Sequence, residues 1–109
     1  MNLVFSALSD PTRRAILVQL AKGDASVSEL AKPFGMRQPT ISKHLRVLEE
    51  AGLIRSGQDA QRRPRSLVVG GPLKDVDQWL ARFREQWERR FDQLESFLET
   101  QTSPNKTKK

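Results

Sequence analysis

Apolar residues recur at intervals of three and four along most of the chain, which is the spacing of one face of an α-helix. Asp10 precedes Pro11, a residue suited to the first helical turn, and Ser26 and Glu29 have the spacing of a capping box. Gly35 marks a helix end. Together these signals predict five helices, at about residues 3–8, 11–22, 27–34, 38–51 and 73–100.

The helical spacing is interrupted once, between the fourth and the fifth helix. Residues 53–56 and 66–69 are short runs of β-prone residues, and the polar stretch 57–65 separates them. Two such runs joined by a polar loop predict an antiparallel hairpin with a long tip. The predicted fold class is therefore mainly α: a winged helix-turn-helix of about five helices and a two-stranded β-hairpin, the wing.

The third and fourth helices, joined by the short turn 35–37, have the layout of a helix-turn-helix. In the fourth helix Ile41, Leu45 and Leu48 share one face, which we expect to lie in the core. The other face and the helix start carry side chains that suit base edges and phosphates in a DNA major groove. These candidate DNA-binding residues are Arg37, Gln38, Pro39, Thr40, Ser42, Lys43 and Arg46. Taken alone, they also fit an ordinary solvated helix face.

The predicted wing is strongly basic. Four arginines cluster on it, Arg55, Arg62, Arg63 and Arg65, with only Asp59 against them. A basic tip can follow the phosphate backbone or enter a minor groove. The same charges would also protect an exposed strand edge from aggregation. The whole chain has 19 Lys and Arg against 13 Asp and Glu, a net charge of +6. This balance fits a protein that binds polyanions, or simply a basic protein.

Two stretches are similar to the ArsR/SmtB family of winged-helix repressors: residues 5–17, FSALSDPTRRAIL, and residues 38–54, QPTISKHLRVLEEAGLI. The resemblance extends over about residues 3–69. It implies a homodimer, a double-stranded DNA operator with two half-sites, and repression that a bound ligand often relieves. In such a protein, helix 38–51 and wing 55–65 would contact the operator.

The chain departs from the family's metal sensors. It has no cysteine, and His44 is its single histidine, so neither of the family's kinds of metal site can be carried over. We expect no metal and no cofactor. A packed or phosphate-contacting role fits His44 better than catalysis, because the sequence places no acid–base partner near it. With no nucleophile–base pair and no phosphate-binding glycine loop, the sequence indicates no enzyme. In the wing, Pro64 and a tip without glycine leave the path of the loop open.

The fifth predicted helix carries an apolar stripe that is too long for one small domain to cover: Leu73, Val76, Leu80, Phe83, Trp87, Phe91, Leu94 and Leu98. We expect the stripe to pack against the same helix of a second copy, with the first helix joining the interface. The candidate dimer-interface residues are Leu3, Phe5, Leu8, Leu80, Phe83, Trp87, Phe91 and Leu94. Two alternatives are that the helix folds back on its own domain, or that Trp79, Phe83 and Trp87 line a small-molecule site.

Length and composition fit one domain, residues 1–100, followed by a disordered basic tail, residues 101–109. No apolar run is long enough to span a bilayer and no signal peptide is recognisable, so we expect a cytoplasmic protein without a membrane partner. The expected partners are double-stranded operator DNA, a second copy and an unknown small-molecule effector. Two other functions stay open: a general DNA-coating protein, and a winged helix that binds proteins.

Overall fold

The computed structural model describes the backbone of residues 2–58 and 63–107, and the side chains of residues 2–58 and 63–100. The elements along these residues are α1 Asn2–Leu8, α2 Pro11–Lys22, α3 Val27–Phe34, α4 Gln38–Glu50, β1 Ile54–Ser56, β2 Arg65–Leu67 and α5 Pro72–Thr107. The chain forms two compact units, Met1–Asp75 and Val76–Lys109. The predicted class, mainly helical with one two-stranded hairpin, is confirmed.

Hydrogen bonds at the helix ends explain where the helices of the first unit begin and end. The Asp10 carboxylate accepts the backbone N–H of Arg13 at 3.0 Å and caps α2. At the start of α3, Ser26 and Glu29 bind each other's backbone N–H groups at 3.3 and 2.8 Å, which is the predicted capping box. α3 ends at Gly35, whose φ of +61° is rarely adopted by a residue with a Cβ atom.

Two arginine side chains join the end of α1 to the start of α2. Arg13 Nε donates to the carbonyl of Ala7, and Arg14 Nη1 donates to the carbonyl of Leu8, both at 2.8 Å. These acceptors are among the last carbonyls of α1, which have no partner inside the helix. Positive charge is also favourable at a helix C-terminus. The two arginines therefore cap α1, an arrangement that no local sequence signal indicates.

The core of the first unit is built from the apolar faces of its helices and from the chain leading into the wing. Its largest fully buried side chains are Ile16, Leu30, Ile41, Leu45, Leu48 and Leu53. Three of them belong to α4, where Ile41, Leu45 and Leu48 are 0%, 1% and 0% exposed, so the predicted core face of this helix is confirmed. Removing one such side chain from water contributes about 1.5–3 kcal/mol, which fixes the rotation of α4 about its axis.

The wing is an antiparallel sheet of β1 and β2. Its second strand begins at Arg65, one residue earlier than the expected run 66–69, and ends at Leu67. Arg65 belongs to the sheet because it pairs with Ser56 of β1. Arg65 and Ala25 also exchange two backbone hydrogen bonds, at 2.7 and 3.1 Å. Arg65 therefore belongs to the strand, and not to the loop 57–65 in which the sequence pattern placed it.

α5 runs over Pro72–Thr107, 36 residues, which is about 54 Å at 1.5 Å per residue. It starts at Pro72, one residue before the predicted 73. Proline suits the first turn of a helix, because N–H groups there have no acceptor within the helix and the N–H that proline lacks is not needed. The helical backbone continues past residue 100, and the division into a domain 1–100 and a tail 101–109 stays a prediction. Among the described helices, none is both long and apolar enough to cross a membrane.

Candidate nucleic-acid interface

The side of α4 that faces away from the core is polar and open to solvent. All seven residues predicted there keep at least part of their surface exposed: Arg37, Gln38, Pro39, Thr40, Lys43 and Arg46 are exposed, and Ser42 is half-buried. Apolar contacts thus hold one side of α4 and leave its polar side accessible to a ligand. Arg37 is the N-cap residue but makes no side-chain capping hydrogen bond with the described residues, so its guanidinium does not close the helix.

The C-terminal end of α4 is joined to the wing. Ser56 Oγ, on β1, donates to Glu49 Oε2 at 3.2 Å. Acidic side chains at a helix C-terminus oppose the helix dipole, and the last turn of α4 contains no basic residue. The positive charges lie between Arg37 and Arg46, in the first two-thirds of the helix, while the acidic end makes the hydrogen bond to the wing.

His44, on α4, is partly buried and lies beside the cap of α2. Its Nδ1 atom is 3.9 Å from Asp10 Oδ2, and the two side chains are 19% and 33% exposed. The hydrogen bond from the Arg13 backbone N–H holds the pKa of the Asp10 carboxyl below its usual value; burial acts in the opposite direction, and His44 adds a smaller lowering. His44 thus occupies a packing position between two helices.

Arg63 and Arg65 occupy different environments in the wing. Arg63 is exposed, with a φ of +43° that is unusual for a residue other than glycine. Arg65 is half-buried: its Nη1 donates to the Arg63 carbonyl, and its buried Nε has no hydrogen-bond partner among the described residues. Burial, and then the charge of Arg63, lower the pKa of the Arg65 guanidinium, while Glu49 acts in the opposite direction. The third predicted wing residue, Arg62, lies outside the described residues.

An open cavity of about 450 Å³ lies where the wing meets α3 and α4. The residues that line it come from β2 and the loop before it, the start of α4 and the start of α3: Arg63, Arg65, Gln38, Ser26, Val27, Ser28 and Glu29. The structure thus brings Gln38, predicted as a base reader, beside two predicted wing residues. Ser28 was not predicted as a site residue, because the cavity exists only where three elements distant in sequence meet.

The second unit presents a long apolar face to solvent. Its exposed large apolar residues are Trp79, Phe83, Trp87, Phe91, Leu94, Phe97 and Leu98. The rings of Trp79 and Phe83 meet edge to face with centroids 5.1 Å apart, and those of Phe83 and Trp87 are stacked at 6.2 Å. Of the other predicted dimer-interface residues, Leu3 and Phe5 are exposed. Leu8 and Leu80 are half-buried. Contiguous apolar surface of this kind is typical of protein–protein or ligand interaction sites.

A helix-turn-helix with an exposed basic face, followed by a wing, defines the class of winged helix-turn-helix DNA-binding proteins. Residues 10–56 match the family described as bacterial regulatory protein, arsR family. The transcriptional repressor SdpR of Bacillus subtilis is 40% identical over 83 residues, which cover 76% of this chain and 91% of SdpR. The chain therefore belongs to the ArsR family of DNA-binding transcriptional regulators.

Solved structures share the fold. A crystal structure of an ArsR family transcriptional regulator is 46% identical, with a TM-score of 0.69, over 80% of this chain and 94% of that chain. The homodimeric winged helix-turn-helix DNA-binding domain of a possible ArsR-family regulator from Mycobacterium bovis is 28% identical, with a TM-score of 0.61. That match covers 80% of this chain and 77% of the other. The winged-helix fold and the family resemblance expected from the sequence are confirmed.

Proposed function

We propose that the chain is a homodimeric transcriptional repressor that binds a two-half-site operator by placing α4 in the DNA major groove. One observation carries this proposal: α4 separates a fully buried apolar face from an exposed polar face that is basic over its first two-thirds. Because the buried face fixes the rotation of the helix, the basic face cannot turn into the core. The repressor SdpR and the homodimeric domain from Mycobacterium bovis support repression and dimerisation.

The exposed residues of α4 differ in the DNA groups that they can recognise. The Gln38 amide has the geometry to pair with an adenine edge, and Lys43 and Arg46 can donate to guanine O6 and N7. The hydroxyls of Thr40 and Ser42 bind base edges or phosphates. Each bidentate base contact of this kind discriminates against a wrong base by about 1–3 kcal/mol, so these positions determine sequence choice.

The helix start and the wing contribute affinity in this proposal. Arg37 precedes α4, and Arg63 and Arg65 lie before and at the start of β2, so we assign these three to phosphate contacts. Arg62, which lies outside the described residues, is assigned with them from the sequence alone. Phosphate contacts carry no sequence information, and each one steepens the dependence of binding on salt. Pro39 stiffens the first turn of α4, because its ring fixes φ.

The second copy binds along the apolar stripe of α5. The stripe repeats after eleven residues, at three pairs of positions: Leu80 and Phe91, Phe83 and Leu94, Trp87 and Leu98. At 100° per residue these side chains fall within an arc of about 80°. An eleven-residue repeat corresponds to roughly 3.67 residues per turn, so two such helices pack with a slight right-handed twist, and not with the left-handed supercoil of a heptad repeat. Leu3 and Phe5 are the proposed contribution of α1.

A dimer is needed because one subunit reads too few base pairs to select an operator in a genome. Two recognition helices about 34–36 Å apart would read two half-sites one DNA turn apart. In this proposal the protein acts in the cytoplasm on double-stranded DNA, without an enzymatic step, a metal or a cofactor. A small-molecule effector would act by changing the distance between the two recognition helices.

Binding of the purified protein to the DNA upstream of its own gene tests this proposal. At about 150 mM salt we expect two chains per site and an affinity about 1,000-fold or more above that for scrambled DNA. Arg46→Ala and Lys43→Ala should each weaken operator binding about 5- to 150-fold, which corresponds to about 1–3 kcal/mol. Lys22→Ala is the matched control: Lys22 is an exposed cation at the end of α2 and is not among the residues assigned to DNA contacts.

Three results would contradict the proposal. Equal affinity for upstream and scrambled DNA, with no preferred sequence in a selection from random DNA, would indicate a general DNA-coating protein. Absence of DNA binding even at low salt would indicate a winged helix that binds proteins. Unchanged operator affinity in both Arg46→Ala and Lys43→Ala would show that another surface reads the DNA.

A further inference from the structure

Glu49 is an acidic residue at a position where local physical chemistry disfavours negative charge. It is exposed in the last turn of α4, where a carboxylate opposes the helix dipole, and it belongs to the helix that the proposed function places against DNA phosphates. Glu50, the next residue, has the same two disadvantages. A residue that breaks a local rule indicates a compensating role elsewhere in the structure. Glu49 has side-chain contacts that supply such a role, whereas Glu50 has none with the other described residues.

The Glu49 carboxylate joins α4 to the first strand of the wing. Ser56 Oγ donates to Glu49 Oε2 at 3.2 Å, across seven positions of the chain. A hydrogen bond to a carboxylate is stronger than one between two neutral groups. This bond is exposed, whereas Leu53 and Ile54, which lie between α4 and Ser56, are buried in the core. The junction of α4 and β1 is thus held both in the core and at the surface.

The same carboxylate acts on the second strand of the wing. Ser56 pairs with Arg65 across the sheet, and Arg65 is the first residue of β2. Burial and the charge of Arg63 lower the pKa of the Arg65 guanidinium, and the charge of Glu49 acts against this lowering. Because an opposite charge favours the protonated guanidinium, Glu49 and Arg65 attract each other. Glu49 therefore interacts with both strands, with β1 through a hydrogen bond and with β2 through charge.

We propose that Glu49 is a positioning residue for operator binding: it holds the wing against the C-terminal end of α4, so that the wing and α4 meet the DNA at a fixed spacing. The inference rests on the proposed function, in which α4 enters the major groove and the wing contacts the DNA beside it. A wing that is already held loses less conformational freedom on binding than a wing that moves independently of α4. Glu49 itself contacts no DNA, and its charge alone would repel the phosphates.

Glu50→Ala is the matched control for Glu49→Ala. Both substitutions remove one negative charge from the last turn of α4, and both relieve the same conflict with the helix dipole. Only Glu49→Ala also removes the contacts with Ser56 and Arg65. If the two glutamates affect DNA binding only as charges, both variants should bind the operator more tightly. If Glu49 positions the wing, Glu49→Ala should bind more weakly than Glu50→Ala.

Hydrogen exchange of wing amides, followed by NMR on the full chain without DNA, measures how firmly the wing is held. The backbone N–H groups of Gly57 and Val68 donate at the two ends of the strand pair, at 2.6 and 2.9 Å, and serve as reporters. We expect their exchange to become about 2- to 10-fold faster in Glu49→Ala, through the loss of one hydrogen bond, and to stay unchanged in Glu50→Ala. Glu49→Gln keeps an oxygen that can accept from Ser56, so it should restore most of the protection.

Operator binding shows whether a held wing matters for recognition. We expect Glu49→Ala to bind the operator about 3- to 10-fold more weakly than Glu50→Ala, because the ordering of a free wing opposes binding. In a hydroxyl-radical footprint at saturating protein, Glu49→Ala should lose protection on the wing side of each half-site and keep it where α4 binds. A variant with fewer folded molecules would bind less DNA but would give the full footprint once saturated. Loss of protection confined to the wing side therefore separates positioning from a merely structural role.

A double-mutant cycle tests whether Glu49 acts through its bond to the wing. Ser56→Ala removes the donor and leaves the Glu49 charge in place, and it breaks the same bond if Glu49→Ala fails to fold. When two residues act through one bond, their effects do not multiply, so the double variant should bind the operator at most about twofold more weakly than Glu49→Ala. Effects that multiply, or unchanged operator binding in Ser56→Ala, would overturn the role of this bond.

The two measurements separate this inference from the proposed function. Equal wing exchange in Glu49→Ala and Glu50→Ala would overturn the attachment of the wing by Glu49. Faster wing exchange in Glu49→Ala, with operator affinity equal to that of Glu50→Ala, would overturn the positioning role and leave the repressor proposal standing. Faster wing exchange in a protein that selects no DNA sequence would overturn the repressor proposal and leave the attachment of the wing standing.

Discussion

Trp87 provides the most direct test of the proposed dimer. It lies in the middle of the apolar stripe of α5, stacks on Phe83 with ring centroids 6.2 Å apart, and is 47% exposed. In a dimer that forms through the stripe, this exposed part is what the second copy covers. We expect Trp87→Ala to weaken the dimer and to leave α5 helical, because alanine has the strongest helix propensity.

The exposed area sets the size of the effect. A tryptophan has about 200 Å² to bury, so an exposed fraction of 47% leaves ~95 Å² per copy. Two copies cover about 190 Å², which at about 25 cal/mol per Å² contributes about 5 kcal/mol when coverage is complete. With incomplete coverage we expect about 3 kcal/mol, and the dissociation constant of the dimer should rise about 100-fold.

Sedimentation velocity over a wide range of protein concentrations measures this dissociation constant, and circular dichroism confirms that α5 stays helical. Arg89→Ala is the matched control. Arg89 lies on the side of α5 opposite Trp87 and is 3.5 Å from Glu85 in an exposed ion pair. Loss of such a pair costs about 0.3–0.5 kcal/mol. A dissociation constant for Trp87→Ala that is no higher than that for Arg89→Ala would refute the placement of the interface on α5.

Three further predictions concern the first unit. Leu45→Ala removes a fully buried side chain and should lower the free energy of unfolding in urea by about 2–5 kcal/mol. Arg46→Ala changes the next residue, which is exposed, and should change the free energy of unfolding by less than about 0.5 kcal/mol. Equal losses of stability in the two variants would mean that α4 is rotated about its axis relative to the structure. Ser26→Ala deletes the cap of α3 and should cost about 1 kcal/mol in the same measurement, and an unchanged midpoint would contradict the capping box. Asp10→Asn keeps a capping side chain but removes its charge. Because the pKa of Asp10 is lowered in the folded state, the wild type should be more stable than the variant above about pH 4, near the unfolded pKa. This advantage should disappear as the pH falls through the folded pKa. Thermal unfolding at a series of pH values measures it, and a difference independent of pH would contradict the role of the charge.

The sequence predicts the helices well because the contacts that begin them join residues close together in the chain. A capping hydrogen bond joins residues three apart, as in Asp10 with Arg13 and Ser26 with Glu29, so the donor and the acceptor appear together in the sequence. The buried face of α4 was predicted for the same reason, because a helical period is visible within four turns. These two signals placed α2, α3 and α4 to within a residue at most of their ends.

Long-range contacts decided what the local signals left open. Arg65 pairs with Ser56 of β1 and with Ala25 from the segment before α3, so the second strand begins at Arg65, one residue before the β-prone run 66–69. The side chain of Arg65 is half-buried, although the sequence alone makes it an exposed wing cation. Nothing near Ser28 in the sequence indicates that it faces a cavity, because that cavity needs the wing and α4 as well.

By itself, the sequence determined the class of the protein: a helix-turn-helix whose second helix has one apolar and one basic face, a basic wing, and a long helix with an apolar stripe. These features repeat with the period of a helix or lie within one short segment, so the order of residues along the chain contains them. The tertiary structure alone decided that Arg63 is exposed and Arg65 half-buried, and that Glu49 accepts a hydrogen bond from Ser56 of the wing. It alone made the cavity that Arg65 shares with Gln38 and Ser28. Such contacts join segments that are far apart in sequence. They are selected by the packing of the whole core, and the propensity of one segment does not determine them.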